Sequence, residues 1–583
     1  MQIRPGDHPR CWLRLVAVLA MVLFLLPTIT LVTSAQEAPT GKVLRIRMPY
    51  WPDTLDPQKT SYIQEIAVSA LDYEGLTRLD EDLKTVPAAA KSWEFNADGT
   101  VLTFHLRDGL VYNDGSPLTA ERFRFAIERA CDPNTAAVYA GILFDIVGCQ
   151  AFASSLAPSA TPAASPASGG DQTTYETTRA ALGVRTVDDQ TLEIHLTHPA
   201  PYFPTVASTW VFFPVRQESV EAGGEAWAYD PAQRVGNGPF QMSRFERDQL
   251  IGFTPNEHYW GGRAKLDGIT YVYVQDPAVA LEAYRAGDLD ITQVGPAQIP
   301  EVEADPALAP ELLRFAEAAT LNLVFDLKQE PWQDKKVREA FAYGFDRETY
   351  CAEVRSGDCL PTLTWIPEGV PGHIESEAYA YDPEKAKQAL ADSSYGGPEN
   401  LPEIKYFYPS DDPAEGDRSE WLAAHYREVL GVEITLEPVD STTLAAMTKD
   451  AASYPQTWLG GWGQDYPDPQ NWLSIFWTCN STISAALVGY CNERFDALIA
   501  QADTELDPAK RVSLYEEAGQ LLIDDAPAVF AYNPATVVLI KPNVTGYRAT
   551  TSDFFYPGQW ASLLTLGLGG EAGGTPVAVI PAA

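Results

Sequence analysis

The chain has 583 residues and a formal net charge of −38 at pH 7, with 45% hydrophobic and 21% charged residues. These proportions are those of a soluble globular protein, and the length predicts two or more domains because single cores rarely grow beyond about 250–300 residues. A surface this acidic argues against nucleic acid and anionic membranes as partners, since both would repel it.

The N-terminus has the pattern of a targeting segment. Three arginines precede an apolar run over 15–32, which ends at the small residues of 33–35. This pattern predicts a signal peptide over 1–35, a mature chain from Gln36, and export from the cytoplasm. An uncleaved membrane anchor is the alternative, because the apolar run is long enough to span a bilayer. No cysteine lies directly after the run, which argues against a lipid-anchored N-terminus.

The first part of the mature chain predicts both strands and helices. In chain order we expect a strand over 43–48, a helix over 65–71, a hairpin of strands 91–95 and 101–106, and a helix from 120 to 131 capped by Thr119. The hairpin rests on Asp98-Gly99, which is a strong turn signal between two alternating segments.

The later chain continues this mixture. We expect strands over 192–196, 250–253, 404–408, 432–436, 457–461 and 537–540, and helices over 279–285, 335–346, 383–391, 420–430 and 508–522, with Asp382 capping the third. The order of strand and helix between 404 and 461 is that of an α/β protein. Residues 157–172 and the tail 564–583 are rich in small residues and proline, so we expect both to be disordered.

Six cysteines follow the signal peptide, and they occur as three local pairs. An exported chain favours disulfides, and closeness in sequence favours Cys131–Cys149, Cys351–Cys359 and Cys479–Cys491. A zinc site is the alternative, but none of the spacings is Cys-x-x-Cys and most of these cysteines have no nearby histidine.

The stretch 460–469, Gly-Gly-Trp-Gly-Gln-Asp-Tyr-Pro-Asp-Pro, is the strongest candidate for a binding site. Its three glycines end a predicted strand, and glycine in a strand often marks the close approach of another backbone or a ligand. Trp462 and Tyr466 add apolar surface, and Asp465 adds a negative charge. An ordinary surface turn is the alternative, because glycine, proline and aspartate are typical of turns.

The sequence predicts no enzyme and no cofactor. It contains no Gly-x-Ser-x-Gly elbow, His-Glu-x-x-His helix or phosphate-binding loop. His195 and His198 straddle a predicted strand end, which favours a structural role over a metal site. A secreted hydrolase using Asp465 and Asp468 is the enzymatic alternative, but their spacing within a turn does not give the opposed geometry of an acid/base pair.

Eight short motifs follow one another between residues 43 and 563. They are Thr54-Leu-Asp-Pro57, Tyr73-Glu-Gly-Leu-Thr-Arg-Leu79, Leu102-Thr-Phe-His-Leu-Arg107 with Asn113-Asp-Gly115, Gly236-Asn-Gly-Pro-Phe240, Asn256-Glu-His-Tyr-Trp260, Val337-Arg-Glu-Ala-Phe-Ala-Tyr343 with Asp346-Arg347, Tyr381-Asp-Pro-Glu-Lys-Ala386, and Gly461-Trp-Gly-Gln-Asp-Tyr-Pro-Asp-Pro469. In this order they resemble the extracytoplasmic solute-binding proteins of ABC importers, in the family 5 group that contains oligopeptide, dipeptide and nickel binders.

The resemblance implies an α/β, bilobal fold of the periplasmic-binding-protein type II class, with a small extra domain. Lobe I would comprise 36–80, 206–318 and 529–563, the small domain 81–205, and lobe II 319–528. In such proteins two hinged lobes close over a ligand, because the ligand binds the closed form better. The implied function is to capture a small solute, first of all a peptide, outside the membrane and deliver it to an ABC permease, with the receptor a monomer.

The same resemblance assigns roles to the candidate stretch. Asp465 matches an aspartate that pairs with the α-ammonium group of a bound peptide, and a charge-assisted hydrogen bond of this kind is roughly twice as strong as a neutral one. Gly461 and Gly463 would let a peptide main chain pair as an added strand. Trp462 would form a wall of the site, and Tyr466 belongs to the same set.

Two residues near the N-terminus complete the expected ligand-binding set. At one further position the chain differs from some oligopeptide binders. Glu65 matches a position that lines the cleft in oligopeptide binders, and Tyr62 lies beside it. Some oligopeptide binders carry an arginine where this chain has Gly460, or Leu459 if the alignment is shifted by one, and neither residue can anchor a ligand carboxylate by charge. An oligosaccharide or a metal chelate is therefore an alternative ligand, and a chaperone or signalling receptor on the same fold is an alternative function.

Overall fold

The computed structural model describes residues 41–156, 172–481, 483, 487–550, 561–569 and 577–578. The predicted signal peptide over 1–35 and all but the last residue of the predicted loop 157–172 lie outside the described residues. Among the described helices, none combines the length and apolar character that a membrane crossing needs.

The described strands and helices occur in alternating groups along the chain. The strands are β1 Val43–Met48, β2 Thr77–Leu79, β3 Thr85–Pro87, β4 Ala90–Phe95, β5 Val101–Leu106, β6 Val184–Asp188, β7 Thr191–His195, β8 Phe240–Glu246, β9 Leu250–Pro255, β10 Gly268–Tyr273, β11 Ile291–Gln293, β12 Leu312–Ala316, β13 Ala319–Phe325, β14 Cys359–Pro361, β15 Ile404–Pro409, β16 Ile434–Val439, β17 Thr457–Gly463, β18 Ala528–Ile540, β19 Val544–Thr545, β20 Arg548–Ala549, β21 Gly567–Leu568 and β22 Val577–Ala578. The helices are α1 Ile63–Asp72, α2 Ala120–Cys131, α3 Cys149–Ala153, α4 Gln172–Ala180, α5 Phe203–Val206, α6 Gln217–Gly223, α7 Pro277–Ala286, α8 Ile299–Ala304, α9 Lys335–Gly344, α10 Arg347–Thr349, α11 Pro383–Ala391, α12 Pro413–Leu430, α13 Ser441–Met447, α14 Ile475–Trp477, α15 Glu493–Thr504 and α16 Pro508–Asp525.

One large sheet positions the candidate site. Its main path runs β16-β15-β17-β13-β18-β11-β1-β10-β9-β8, and β12 and β14 also pair with β18. The long strand β18 joins two halves of this sheet. Its first part pairs with β13 (Val324↔Ala528), and its last part pairs with β11 (Ile291↔Ile540). We call β1 and β8–β12 the first half and β13–β17 the second half.

A separate four-stranded antiparallel sheet, in the order β4-β5-β7-β6, lies between β3 and β8 in the chain. The predicted hairpin forms its first two strands, with Trp93 opposite Phe104. In the turn, the Asp98 Oδ1 accepts a hydrogen bond from the Thr100 amide at 3.2 Å. The prediction of this hairpin is therefore confirmed.

Most predicted elements are present, and the differences have local causes. Helix α12 starts at Pro413 rather than 420, because the Asp412 carboxylate caps it by accepting from the Ala414 amide and proline suits a first turn. Helix α9 ends at Gly344 because Asp346 caps the next turn instead, through the Thr349 amide. Thr119 occupies the cap position of α2 but makes no side-chain capping hydrogen bond.

Two expectations about the C-terminal region need correction. The strand predicted over 537–540 is β18, which has 13 residues. Its first part has no alternation of apolar and polar residues, because both faces are buried beneath helices. The tail expected to be disordered is paired where the structure describes it, since β21 pairs with β19 and β22 with β20.

The cysteines form three disulfides, Cys131–Cys149, Cys351–Cys359 and Cys479–Cys491, with Cα atoms 5.3, 5.3 and 4.5 Å apart. The first joins the end of α2 to the start of α3. All three close short loops and link elements that are already neighbours in the chain.

The core is divided in the same way as the large sheet. One continuous apolar cluster joins the first half to the small sheet, with Leu44 and Phe104 as fully buried members. The second half is covered on both faces, by a cluster around Phe341 on one side and one around Trp477 on the other. Tyr466 belongs to the cluster of the first half although it follows β17, so the chain after β17 packs against the first half.

Candidate functional site

A cavity of about 630 Å³ lies between the loop that precedes α1 and the end of β17. Its lining residues are Tyr50, Trp51, Asp53, Ser61, Tyr62, Ile63, Gln64, Ile66, Tyr139, Trp210, Gly463, Gln464 and Asp465. Five of these side chains are aromatic and two are carboxylates, and the described lining contains no lysine, arginine or histidine. We call this space the acidic cavity.

Asp465 is held in place by hydrogen bonds on one side of the acidic cavity. Its amide donates to the Asn471 Oδ1 at 3.0 Å, and the Asn471 Nδ2 donates to its Oδ2 at 3.1 Å. The Tyr139 hydroxyl also hydrogen-bonds to this carboxylate. Burial raises the pKa of Asp465, and the hydrogen bonds from Asn471 and Tyr139 oppose that rise. A cation brought by a ligand would stabilise the charged form.

Tyr139 is itself positioned by neighbours from the loop before α1 and from residues after the small sheet. Its ring lies edge-on to that of Trp210, with centroids 5.0 Å apart. The Trp210 Nε1 donates to the Thr60 carbonyl at 3.2 Å. Arg129 of α2 reaches the same loop, because its Nη1 donates to the Asp56 Oδ1 at 2.6 Å. Three parts of the chain therefore meet on the wall opposite β17.

The three glycines of the candidate stretch have three different surroundings. A Cβ on Gly460 would lie 2.3 Å from the Trp458 ring, and one on Gly461 would lie 1.8 Å from the Thr320 carbonyl oxygen of β13. Gly461 is therefore required by the sheet itself. A Cβ on Gly463 would meet nothing within 4 Å, and this glycine lines the acidic cavity.

The edge of β17 that faces away from β13 is largely open. The Gln464 amide donates to the Ala318 carbonyl at 2.9 Å. Since main-chain groups alternate in direction along a strand, those of Gly461 and Gly463 point to the opposite edge. Among the described residues, that edge pairs with β15 at a single position, Phe407↔Trp458. The strand can therefore accept a further strand alongside Gly461–Gly463.

Trp462 does not line the acidic cavity. Its ring lies edge-on to Phe476, with centroids 5.7 Å apart, on the face of the sheet covered by the second-half core. Its Nε1 donates to the Asn471 Oδ1 at 3.2 Å, which is the same oxygen that accepts from Asp465. Trp462 supports Asp465 through Asn471 rather than forming a wall of this space.

Glu65 also lies away from the cavity surface, in contrast to the expectation. It is fully buried, and its Oε1 accepts from the amides of Asp53 and Thr54 at 2.9 and 3.1 Å. Its Oε2 accepts from the Thr60 hydroxyl and from the amides of Ser61 and Tyr62. A carboxylate has room for about four such bonds, so Glu65 is fully occupied in shaping the loop. Tyr62 does line the cavity, with 55% of its surface exposed.

Tyr466 and Asp468 anchor the chain that follows Asp465. Tyr466 is buried, and its hydroxyl donates to the Gln470 Oε1 at 2.5 Å. Asp468 forms a buried bidentate ion pair with Arg511 of α16, with N···O distances of 2.8 and 2.6 Å. Tyr466 lies on the wall of a smaller cavity of about 90 Å³ behind the loop, and not on that of the acidic cavity.

Of the expected ligand-binding residues, the structure brings Asp465, Gly463 and Tyr62 together at the acidic cavity. Sequence reasoning missed the other side chains of this space, above all Asp53, Tyr139 and Trp210. It also missed Asn471, which no pattern singles out. It follows the turn residues of 467–469 and Gln470, and the apolar stretch begins only after it, at Trp472.

Comparison with known proteins decides the family. The model of the bacterial extracellular solute-binding proteins, family 5 middle, matches residues 84–484. The chain belongs to the family 5 solute-binding proteins. Its relatives include the probable deoxycholate-binding periplasmic protein YgiS of Escherichia coli, which is 30% identical over 85% of this chain and 89% of its own length. The oligopeptide-binding protein OppA of Bacillus subtilis is 27% identical over 79% and 82% of the two chains.

Solved structures of family 5 proteins have the same fold. The unliganded open form of the periplasmic murein tripeptide-binding protein MppA aligns with a TM-score of 0.76 at 24% identity, covering 91% of this chain and 99% of its own. The complex of Haemophilus influenzae OppA with the peptide RPPGFSPFR aligns with a TM-score of 0.66 at 25% identity, with the same coverage. The predicted bilobal α/β fold is confirmed, and so is a binding protein rather than an enzyme.

Proposed function

We propose that this protein is the extracytoplasmic receptor of an ABC importer and that it captures peptides in the acidic cavity. In this proposal the segment 1–35 directs export, and the monomeric receptor delivers its ligand to a membrane permease. The observation that carries the proposal is the lining of the cavity, which has Asp53 and Asp465 but no basic residue among those described. Such a space favours a ligand that brings its own positive charge.

Asp465 is the proposed partner of the peptide α-ammonium group. Its carboxylate lacks a cationic neighbour in the cavity lining, and burial raises its pKa. An ammonium group placed there would compensate the cost of burying the carboxylate and would form charge-assisted hydrogen bonds. The fixed orientation supplied by Asn471 means that little side-chain freedom is lost on binding.

The open edge of β17 is the proposed partner of the peptide main chain. The amide and carbonyl groups of Gly461 and Gly463 point toward that edge, so an extended ligand can pair with them as an added strand. Main-chain pairing does not depend on the side chains of the peptide. Affinity would therefore come mainly from the peptide backbone and its N-terminus.

Binding would be coupled to a movement of residues 319–528 relative to the rest of the mature chain. The main chain crosses from the first half of the sheet to the second in the link that joins β12 to β13. It crosses back within β18. These two crossings are the proposed hinge. Since Asp465 follows β17 while Tyr62 precedes α1, a ligand touching both would favour the closed arrangement.

Two other ligand classes fit the cavity less well. A bile acid, the ligand in the name of one relative, is anionic and would be repelled by Asp53 and Asp465. An oligosaccharide could stack on the five aromatic rings but would leave both carboxylates without a cation. A peptide with a free N-terminus can place a cation beside the carboxylates and can also pack against the aromatic rings.

Calorimetric titration of the purified protein tests the proposal. We expect trialanine to bind, N-acetyl-trialanine to bind at least tenfold more weakly, and Asp465→Ala to remove this difference between the two. Asp450→Ala, which changes an exposed aspartate outside the cavity, should leave the difference intact. Tighter binding of deoxycholate or of a neutral oligosaccharide than of any peptide would overturn the proposal.

A further inference from the structure

Tyr202 and Arg511 meet where the part of the chain that carries the small sheet touches the second half of the large sheet. Tyr202 follows β7, and its ring centroid lies 5.7 Å from the Cζ of Arg511 on α16. Tyr202 belongs to the core of the first half, whereas Tyr515 of α16 belongs to a core of the second half. Close by, a Cβ on Gly99 in the β4–β5 turn would lie 3.5 Å from the Leu506 Cδ2. These contacts join parts of the molecule that have separate cores.

The Tyr202 ring is held in a fixed orientation. The side chain is buried, and its hydroxyl donates to the Asp145 Oδ2 at 2.8 Å. The His198 Nε2 lies 3.3 Å from the same hydroxyl. Because the ring is already immobile, a cation that packs against its face costs little further loss of side-chain freedom.

Arg511 depends on these rings as well as on its carboxylate partner. It is buried, and besides the ion pair with Asp468 its Nη2 donates to the Tyr515 hydroxyl at 3.1 Å. The Arg511 Nε has no hydrogen-bond partner among the described residues. The rings of Tyr515 and Tyr202 both lie within about 6 Å of the guanidinium, which is the range of a cation–π interaction. The two rings therefore help to fix the guanidinium.

Asp468 connects Arg511 to the candidate ligand site. Its Oδ1 accepts from the Gln470 amide at 2.9 Å, and its carbonyl accepts from the Asn471 amide at 3.0 Å. The Asn471 side chain in turn holds Asp465 by two hydrogen bonds. Every step from Arg511 to Asp465 is therefore a direct polar contact or a bond along one short turn.

We propose that Tyr202 is a positioning residue for the ligand ammonium site, because its ring fixes Arg511 and, through Asp468, the turn that holds Asp465. This inference rests on the proposed function, since it takes Asp465 to be the partner of the peptide α-ammonium group. Tyr202 does not line the acidic cavity. Its loss should therefore reduce the discrimination between free and acetylated N-termini, and should not weaken all ligands equally.

Calorimetry of two variants tests the role of the ring. Tyr202→Phe keeps the aromatic face and should bind trialanine like the native protein. Tyr202→Met fills a similar space without that face and should bind trialanine about fivefold more weakly, which is the order of a cation–π contribution, with N-acetyl-trialanine affinity unchanged. Hydrogen exchange of the Asp465 amide should be faster in Tyr202→Met alone. Equal weakening of both ligands, or the same loss in Tyr202→Phe, would overturn the inference.

A replacement that preserves the shape of the ring keeps the test valid if Tyr202→Met does not fold. Pentafluorophenylalanine in place of Tyr202 has an electron-poor face, so it should weaken the Arg511 contact without leaving a cavity and should reduce the discrimination between the two peptides. Native discrimination in that protein would overturn the inference.

Tyr175→Met is the matched control. Tyr175 of α4 also donates its hydroxyl to an aspartate, Asp132, at 2.7 Å, and its ring packs against Phe152 rather than against α16. This variant should keep the native discrimination, and a loss equal to that of Tyr202→Met would overturn the inference. If the native protein itself does not distinguish trialanine from N-acetyl-trialanine, the proposed function fails and this inference fails with it.

Discussion

The Asn471 side chain binds Asp465 at two points, accepting from its amide at 3.0 Å and donating to its Oδ2 at 3.1 Å. Asn471 is fully buried, so a side chain with no access to solvent fixes the orientation of the carboxylate that faces the acidic cavity. Because the same Oδ1 also accepts from the Trp462 indole, the position of Asp465 is coupled to the core of the second half of the sheet.

Asn471→Ala should therefore weaken ligand binding, although Asn471 does not line the acidic cavity. We expect about tenfold weaker trialanine binding, and also a loss of about 1–3 kcal/mol of folding stability, because buried donors and acceptors lose their partner. Calorimetry of trialanine and N-acetyl-trialanine measures the binding effect. The ratio of the two affinities should fall, since a disordered Asp465 distinguishes the N-terminus less well. An unchanged ratio in a folded variant would contradict the positioning role.

Removing one partner of the buried ion pair between Asp468 and Arg511 should strongly destabilise the fold. Arg511→Met leaves the Asp468 carboxylate buried without its partner, and breaking a buried pair in this way costs about 3–5 kcal/mol. Urea unfolding measures the effect. Arg494→Met is the control, because Arg494 pairs with Glu517 on the surface and such pairs contribute about 0–1 kcal/mol. Equal losses in the two variants would show that burial of the Asp468 pair is unimportant.

Glu65→Gln tests the loop that forms one wall of the acidic cavity. The amide of glutamine would direct an NH₂ group at donors that now point to a carboxylate oxygen, so we expect a loss of about 1–3 kcal/mol in stability and weaker binding of trialanine. Glu420→Gln, at an exposed position of α12 outside the acidic cavity, is the control. Native stability together with native affinity in Glu65→Gln would show that the loop does not depend on this carboxylate.

Local patterns were sufficient to predict much of the fold. The strand over 43–48, the hairpin around Asp98 and the helix that follows Asp382 are all present, because each depends on alternation, turn residues or capping that a short segment contains. The length of β18 could not be predicted in this way. It pairs with strands from both halves of the sheet, and its burial on two faces removes the alternation that marks a half-exposed strand.

The candidate site was predictable only in part. Asp465 and Gly463 could be found because they belong to one short motif that ends a strand. Tyr139 and Asp53 reach the same cavity from distant parts of the chain, and such long-range convergence leaves no periodic signal. The expectation for Glu65 was wrong about its surroundings, since a carboxylate at the start of a helix can be buried when backbone amides surround it.

We expect Glu317 to give the fold a pH-dependent stability. It lies between β12 and β13, where the chain first crosses between the halves of the sheet, and its Oε1 accepts from the Thr536 hydroxyl of the second crossing at 2.9 Å. Burial raises the pKa of Glu317 to about 7, with Asp358 adding to the rise and Thr536 and Arg355 opposing it. In the unfolded chain the same group titrates near 4.5.

The sign of the effect follows from proton binding. Between pH 4.5 and 7 the folded protein holds a proton on Glu317 that the unfolded chain has released, so the stabilising contribution falls as pH rises through this window. Glu317→Gln keeps the neutral form at every pH. It should match the native protein at pH 4.5 and exceed its stability at pH 8, as measured by urea unfolding. The exposed Glu353→Gln should show no such difference between the two pH values, and a Glu317→Gln variant less stable than the native protein at pH 8 would contradict the assignment.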